Sequence, residues 1–255
     1  MGRVYASTDW HGCIVARQIF EYLKPDDKLY FLGDSIDRGP HGLEYLKKLL
    51  YDPRVVYIMG NHEDMLIRGV KSKWDRDLWF HNGGKKTFYD ILSLPEQESL
   101  DILKKIEHLS YEETYINKDG KKIILEHAGY TPWDAPHRTH DPLWDRHHFD
   151  DLYNSKGVNT YMIHGHTPVQ YLQFLYGYIN QPSKTKEDIE LKNAFLADED
   201  MGDWKPTILH YCNNHKIDID MCTITSERVA LLDLDTFEEI YFDEKEKNDD
   251  EILHD

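Results

Sequence analysis

The sequence predicts an α/β fold in which the strand ends carry a binding site. Strand-like and helix-like patterns alternate from Arg3 to about Tyr51, which is typical of a βαβ unit. Five short apolar runs, rich in β-branched and aromatic residues, have the length and composition of buried strands. Each run leads directly into side chains that can bind a metal. Because ligands of open α/β sheets lie beyond the carboxyl ends of the strands, we expect one convergent site there.

The five runs occupy residues 4–6, 29–32, 55–59, 123–125 and 161–163. The side chains that follow them are, in the same order, Asp9 and His11, Asp34, Asn61 and His62, His127, and His164 and His166. A single polar residue at a strand end is usually a hydrogen-bonded structural residue. The joint pattern favours a metal, because burying so many unpaired polar groups together is costly without a cation.

The remaining helices and strands are predicted from the spacing of apolar residues and from the positions of proline and glycine. Apolar residues at helical spacing predict helices over residues 14–23 and 43–50, which are closed by Pro25 and Pro53. Residues 65–70 are predicted to continue a helix that starts just after the Asn61-His62 turn. Residues 74–109 are predicted to be mostly helical, with breaks at residues 82–84 and at Pro95. Residues 114–116 and 121–125 flank Asp119-Gly120, a hairpin signal. Residues 208–209, 217–219, 229–234 and 240–242 are predicted to be closing strands.

The length of 255 residues is consistent with one domain, which we place at residues 1–242. Residues 169–206 are polar with no clear period, so a surface insertion is predicted there. Residues 243–255 are dense in Asp, Glu and Lys and are predicted to be a disordered tail.

Composition restricts the class of partner and the compartment. The formal net charge of −17 and the absence of a basic stripe argue against a nucleic-acid partner. No apolar run reaches the length of a membrane span, and no secretory signal opens the chain, so we expect no membrane partner. Cys13, Cys212 and Cys222 are an odd set without CxxC spacing. A reducing, cytoplasmic location is therefore predicted.

The donor set at the strand ends suits a pair of transition-metal ions. Asp9 and His11 are predicted to project from one face of an extended segment. One carboxylate with one imidazole suits Mn²⁺, Fe or Zn²⁺ better than Ca²⁺ or Mg²⁺. The carboxylate of Asp34 could bridge two ions, whereas Asn61 offers an amide oxygen. His127 and His166 supply further imidazoles. Two such metals can clamp the attacking and leaving oxygens of a displacement and can activate a shared water.

Two arginines and one histidine are predicted to act on an oxyanion. Arg38 follows Asp34 in a glycine-bracketed turn, and Arg146 lies in the loop after His127. A planar guanidinium binds phosphate in bidentate fashion, as Lys cannot. His62 need not bind metal: if Asp37 accepts a hydrogen bond from one of its ring nitrogens, the other can protonate a leaving oxygen.

These residues resemble the motif series of the phosphoprotein phosphatases, which are calcineurin-like metallophosphoesterases. The motifs occur here in the family's order, within residues 3–168. They are Asp9-Trp10-His11-Gly12, Gly33-Asp34-x-x-Asp37-Arg38-Gly39, Gly60-Asn61-His62-Glu63, His127-Ala128-Gly129 and Gly165-His166-Thr167. The resemblance implies an α/β fold of the metallophosphoesterase type, with a central β-sandwich of mixed sheets flanked by helices. It also implies a dinuclear centre holding two divalent ions, of which Mn²⁺ is favoured and Fe or Zn²⁺ are alternatives.

The resemblance also implies residue roles. One metal would be held by Asp9, His11 and Asp34, and the other by Asp34, Asn61, His127 and His166. Phosphate would bind to Arg38, Arg146 and Asn61, while His62 with Asp37 would be the proton donor. The implied activity is that of a serine/threonine protein phosphatase acting on phosphorylated proteins or small phosphoesters. In it, a hydroxide held by both metals attacks phosphorus directly.

Within the family, the similarity is greatest to the compact bacterial and bacteriophage protein phosphatases. The alternative is a symmetrical diadenosine tetraphosphate hydrolase. That group typically lacks an acid before the arginine of the second motif and has Trp after the last histidine, whereas this chain has Asp37 and Thr167. A non-catalytic scaffold is a third reading, but it should lack ligands that this chain retains. The family's usual Asp-Thr-Gly near the C-terminus is replaced by Asp220-Met221-Cys222.

Overall fold

The computed structural model describes residues 2–129, 141–146, 159–174 and 204–244. The first sheet has the strand order β10-β9-β1-β2-β3 and the second has the order β4-β5-β6-β8-β7. The strands are β1 (Val4–Ser7), β2 (Lys28–Phe31), β3 (Val55–Tyr57), β4 (Glu112–Ile116), β5 (Lys122–Glu126), β6 (Thr160–His164), β7 (Leu209–Tyr211), β8 (Lys216–Asp218), β9 (Arg228–Asp233) and β10 (Glu239–Asp243).

Both sheets are mixed. In the first, β1, β2 and β3 are parallel neighbours, while β9 and β10 add antiparallel strands at one side. In the second, β5, β6 and β8 are parallel, and β4 and β7 close the two edges in antiparallel pairs. The parallel strands of each sheet therefore present their carboxyl ends together, which is the arrangement that a convergent site requires.

Alternating side chains of β1 and of the end of β2, with Leu32 just beyond it, pack into two separate cores. Ala6 and Leu32 face the second sheet, where they pack in one cluster with residues such as Ile163. Tyr5 and Phe31 point the other way, into a cluster shared with the helices. This period of two is that of a strand buried on both faces. The predicted α/β β-sandwich with flanking helices is confirmed.

The helices in the described ranges are α1 (Arg17–Tyr22), α2 (Gly42–Tyr51), α3 (Asn61–Lys71), α4 (Lys73–His81), α5 (Lys85–Leu92), α6 (Glu96–Ile106), α7 (Val169–Phe174) and α8 (Thr223–Ser226). The predicted breaks at residues 82–84 and at Pro95 separate α4, α5 and α6. The helix predicted over residues 14–23 is shorter, because a 3₁₀ turn occupies Ile14–Ala16 before α1 begins.

Two predicted boundaries need correction. The surface insertion was expected from residue 169, but residues 169–174 form α7, and Val169 and Leu172 are buried. Residues 175–203 lie outside the described residues. The tail was expected from residue 243, but Asp243 ends β10 and pairs with Arg228, which fixes it. Residues 245–255 also lie outside the described part. No helix in the described ranges combines the length and apolar character that a bilayer crossing requires.

Candidate metal centre

The strand ends of both sheets meet at one place. Asp9 and His11 follow β1, Asp34 follows β2, and Asn61 and His62 open α3 after β3. From the second sheet, His127 follows β5 and His166 follows β6. All seven side chains are buried, with at most 5% of their surface exposed. The structure thus brings together every predicted metal ligand.

The backbone in these loops is left-handed at several residues other than glycine. Asp9 has φ 53° and His11 has φ 44°, so the expectation that they project from an extended segment is wrong. Positive φ angles also occur at Asp34, Asp37, Arg38 and His166. Side chains disfavour this conformation, and residues held in it cluster at functional sites. Tight turns, rather than strand alternation, aim Asp9 and His11 at the centre.

Asp34 lies between two groups of donors. Its Oδ2 is 3.7 Å from His11 Nε2, and its Oδ1 is 3.5 Å from His127 Nε2. Among the residues described, two triads have ligand atoms within 4.8 Å of one another, namely His11 with Asp34 and His62, and Asp34 with His127 and His166. The first triad contains His62 where the expected ligand was Asp9, whose Oδ1 is 3.8 Å from His11 Nε2. A carboxylate shared by both triads has the geometry of a bridge.

Cations fit this donor set, because several acceptors face one another. His127 donates from Nδ1 to the carbonyl oxygen of Leu32 (2.7 Å), so the Nε2 of the neutral ring carries a lone pair. That Nε2 lies 2.9 Å from Oδ1 of Asn61, which is also an acceptor. His166 Nδ1 lies 3.2 Å from the same Asn61 oxygen. A metal ion between such atoms would satisfy all of them.

The electrostatics lead to the same conclusion. Burial, reinforced by the charges of Asp9 and Glu63, raises the pKa of Asp34 well above its ordinary value. Burial also lowers the pKa of His11 and of His166 well below the usual histidine value. Carboxylates crowded in a buried site are poorly compensated by neutral imidazoles. Divalent cations would supply the missing positive charge.

His62 makes the contact with Asp37 that the motif suggested. The distance from His62 Nδ1 to Asp37 Oδ2 is 2.6 Å, and Trp79 Nε1 donates to the same oxygen at 2.7 Å. The Asp37 N–H donates to Thr87 Oγ1. Burial raises the pKa of Asp37 to about 7, although its bonds with Thr87 and Trp79 oppose the rise. The ring is thereby fixed with Nε2 directed towards the centre, 3.8 Å from Asp34 Oδ2.

Both predicted phosphate-binding arginines line the pocket over the centre. Arg38 is exposed and donates to Nε2 of His11 (2.8 Å) and to Nε2 of His62 (3.1 Å). Arg146 is also exposed and donates to Thr167 Oγ1 (3.0 Å) and to the His166 carbonyl oxygen (3.2 Å). The two guanidinium groups therefore reach the pocket from opposite sheets, where an anion could contact both.

Some residues at the site were not predicted. Glu63 is fully buried and accepts hydrogen bonds from the backbone N–H groups of Asp34 and Ser35. Asp220 lines the pocket, and its neighbour Cys222 is left-handed with φ 53°. The family usually has glycine at the position of Cys222, and glycine adopts such a φ at no steric cost. The match of Asp220-Met221-Cys222 to the family's Asp-Thr-Gly was therefore a signal that could have identified this segment. His164, in contrast, does not join the centre, because its Nε2 contacts the Tyr211 hydroxyl at 2.6 Å.

Comparison with known proteins identifies the family. The family model described as "Calcineurin-like phosphoesterase" matches residues 2–219. The chain belongs to this family. It is therefore a metallophosphoesterase, a hydrolase of phosphoesters that uses divalent metal ions, and the two triads around Asp34 are where its calcineurin-like centre could bind them.

The chain is similar to relatives of two kinds, some named serine/threonine-protein phosphatase and others named bis(5'-nucleosyl)-tetraphosphatase. "Serine/threonine-protein phosphatase 2" of Salmonella typhimurium is 30% identical over 66% of this chain and 81% of its own length. The protein of that name from Escherichia coli is 36% identical over 41% of this chain and 46% of its own length. A symmetrical bis(5'-nucleosyl)-tetraphosphatase of Coxiella burnetii is 26% identical over 73% of this chain and 57% of its own length.

Solved structures confirm the fold alone. A crystal structure of a proposed diadenosine tetraphosphatase has a TM-score of 0.53 at 15% identity, covering 94% of this chain and 92% of that chain. The cold-active protein-tyrosine phosphatase of a psychrophilic Shewanella has a TM-score of 0.51 at 16% identity, covering 94% and 77%. The sandwich of two mixed sheets is thus an architecture that solved structures share.

Proposed function

We propose that the protein is a metal-dependent phosphomonoesterase that removes phosphate from phosphoserine or phosphothreonine in proteins. The observation that carries this proposal is the 2.6 Å contact between His62 and Asp37 beside the Asp34 triads. A monoester with an alkoxide leaving group needs a proton at the leaving oxygen, and this pair can supply one. The similarity to two bacterial serine/threonine phosphatases supports the same substrate class.

The proposed ligand sets share Asp34. Asp9, His11 and Asp34 would hold one ion, and Asp34, Asn61, His127 and His166 would hold the other. Mn²⁺ is the favoured metal, with Fe or Zn²⁺ as alternatives, because imidazole and carboxylate donors suit these ions. When bound, the ions would activate water for attack on phosphorus and neutralise charge on the phosphoryl group.

The chain's own residues would bind and orient the phosphate. In the structure, Arg38 directs two donors to His11 and His62, and an incoming phosphate could accept them instead. Arg146 is held by Thr167, the residue that is typically Trp in the symmetrical tetraphosphatases. Together with the amide of Asn61, the two arginines would stabilise the negative charge that moves through the transferring group.

His62 would act as the general acid at Nε2. Asp37 accepts the hydrogen bond from Nδ1, which fixes the tautomer, and the ionised carboxylate would stabilise the imidazolium form. We propose direct displacement without a phosphoenzyme. The thiol that lines the pocket, Cys222, is a poor nucleophile because burial raises its pKa to about 11.

The test is a comparison of substrates with protein reconstituted in Mn²⁺. The substrates are phosphoseryl and phosphothreonyl peptides, an aryl phosphate and diadenosine tetraphosphate, each followed by kcat/KM. We expect the monoesters to be preferred. Single turnover in ¹⁸O-water should place one label in the released phosphate without a burst of alcohol. A covalent intermediate, or no hydrolysis of any monoester, contradicts the proposal.

The second candidate is a symmetrical dinucleoside tetraphosphate hydrolase. The similarity to the Coxiella burnetii tetraphosphatase favours it, since that match covers 73% of this chain. Preference for diadenosine tetraphosphate by ten-fold or more in kcat/KM would promote this candidate over the first.

A further inference from the structure

The outer face of α4 carries two large apolar side chains that the proposed reaction does not use. Trp74 is 84% exposed and Leu78 is 48% exposed. They lie four residues apart, so both side chains fall on the same side of the helix. A single exposed apolar residue on a protein surface needs no explanation. These two are neighbours and form one apolar surface, which we call the α4 strip.

The α4 strip leads into the catalytic pocket. Four residues beyond Leu78, Asn82 lines that pocket together with Arg38. The Asn82 side chain donates to the carbonyl oxygen of Leu78 (2.9 Å), which joins the strip to the rim of the pocket. The Arg38 N–H donates to the carbonyl oxygen of Gly83 (3.3 Å), so the turn after α4 is bonded to a proposed phosphate-binding residue. Because a helix rises 1.5 Å per residue, Trp74 lies about 12 Å from Asn82 along the axis.

The inner face of α4 is fixed to the rest of the protein. Trp79 is fully buried and donates from Nε1 to Asp37 Oδ2 (2.7 Å). Helix α3 packs so closely against this ring that a Cβ atom on Gly69 would lie 2.7 Å from it. Arg76 Nε also donates to the carbonyl oxygen of Gly69 (2.8 Å). The backbone that carries the α4 strip is therefore already ordered, so binding there would cost little conformational entropy in α4.

We propose that the α4 strip docks apolar side chains of the substrate polypeptide that lie two and four residues from its phosphorylated residue. This proposal rests on the phosphomonoesterase function proposed above. Residues 82, 78 and 74 are spaced about 6 Å apart along the helix axis. In an extended chain, every second residue lies about 6.6 Å further on and faces the same side. An extended substrate along α4 would thus place alternate side chains in the pocket, on Leu78 and on Trp74.

The chemistry of the α4 strip favours a polypeptide over a dinucleotide. In diadenosine tetraphosphate, charged phosphates beyond the scissile bond would lie over Leu78, an aliphatic side chain that cannot replace their hydration. A leucine, isoleucine or valine of a polypeptide would bury apolar area against both members of the strip. Tryptophan is also among the residues that dominate binding energy when an interface buries them. Because the strip runs in one direction from the pocket, it would act on one side of the phosphorylated residue.

The experiment compares three phosphoseryl peptides of equal length. Leucine occupies the second and fourth positions before the phosphoserine in one peptide and after it in another, and serine occupies all four positions in the third. For the wild type, Trp74→Ala and Leu78→Ala, reconstituted in Mn²⁺, the kcat/KM of each leucine peptide is divided by that of the serine peptide. Tyr89→Ala is the matched control, because Tyr89 is 56% exposed on α5 and does not line the pocket.

In the wild type we expect one leucine peptide to be preferred about ten-fold, which is the size expected when apolar side chains are partly buried. Each alanine variant should lose most of this preference, whereas Tyr89→Ala should keep it. The loss should appear in KM rather than in kcat, because the α4 strip does not touch the reacting atoms.

A binding measurement separates this proposal from the proposed function. Calorimetry uses the same three peptides with a non-hydrolysable phosphonate in place of the phosphoserine. If the wild type prefers a leucine phosphonate and Trp74→Ala does not, but no phosphopeptide is hydrolysed, docking stands and the phosphomonoesterase function fails. If the phosphopeptides are hydrolysed without a preference for leucine, or the preference survives in both alanine variants, docking is refuted. It is also refuted if these variants impair only the hydrolysis of diadenosine tetraphosphate, or if their only effect is to abolish a dimer in sedimentation.

Discussion

Glu63→Gln tests how the turn that carries Asp34 is held. Glu63 Oε2 accepts a hydrogen bond from the Asp34 N–H at 2.8 Å, and Oε1 accepts one from the Ser35 N–H at 3.0 Å. The hydroxyls of Tyr57 (2.7 Å) and Ser35 (3.2 Å) also lie against Oε1. The carboxylate is fully buried, so water cannot replace any of these contacts.

The size of the effect follows from these contacts. In the Glu63→Gln variant, one carboxylate oxygen is replaced by an NH₂ group that faces a backbone N–H, which leaves a buried donor unsatisfied at a cost of about 1–3 kcal/mol. The remaining bonds change from charged to neutral, which loses about 1 kcal/mol for each. Easier burial of a neutral amide offsets part of this. We expect a net loss of about 3 kcal/mol in the free energy of unfolding, a large share of the roughly 5–15 kcal/mol typical of a domain.

Urea unfolding of metal-free protein, followed by circular dichroism, measures this loss. The control is Glu21→Gln, an exposed position on α1, which should change stability by less than about 0.5 kcal/mol. Metal affinity should also fall, because the turn that presents Asp34 loses its support. A loss below about 1 kcal/mol, with metal affinity unchanged, would refute the reasoning.

The remaining predictions concern the centre itself. His62→Asn should lower kcat by at least about 100-fold with metal content near normal, and elemental analysis that finds both metals lost would show that His62 is a ligand. Asp34→Asn should lower occupancy at both metal positions, and full retention of two ions would contradict the bridge. Asp37 keeps its proton in the metal-free fold up to about pH 7, whereas the unfolded chain releases it near 3.8, so its ionisation destabilises the fold as pH rises between these values. The free energy of unfolding of Asp37→Asn, measured with urea, should therefore rise relative to that of the wild type by up to about 1.4 kcal/mol per pH unit over that range. A difference between the two proteins that is constant with pH would contradict the raised pKa of Asp37.

Most of the element pattern could be predicted because it is encoded locally. The alternation that sends Tyr5 to one core and Ala6 to the other is visible as a short apolar run. The break at residues 82–84 is visible as Asn-Gly-Gly. Errors arose where tertiary contacts override local pattern. The stretch of residues 169–206 is polar as a whole, yet its first six residues, Val-Gln-Tyr-Leu-Gln-Phe, form α7, in which Val169 and Leu172 are buried.

Sequence patterns could not predict which residues hydrogen-bond to Asp37 and so hold the proton donor in place. Trp79 lies 42 residues from Asp37, and Thr87 lies 50 residues away, yet both hydrogen-bond to it. Neither spacing corresponds to a strand or helix period. Glu63 was visible inside a motif, but its contacts with Asp34 and Ser35 depend on how α3 meets the end of β2.

The sequence by itself determined which side chains stand at the ends of the buried strands, because strand periodicity and glycine turns act over a few residues. A convergent site at these ends was predicted, but only the tertiary structure decided how the ends of two separate sheets are brought together. The Asp9 carboxylate accepts a hydrogen bond from the His166 N–H, 157 residues further along the chain. Such a contact depends on two sheets packing face to face, which is a property of the whole core. The left-handed turns at Asp9 and His11 were likewise fixed by that packing, and they place His11 Nε2 3.8 Å from the Asp9 carboxylate and 3.7 Å from that of Asp34.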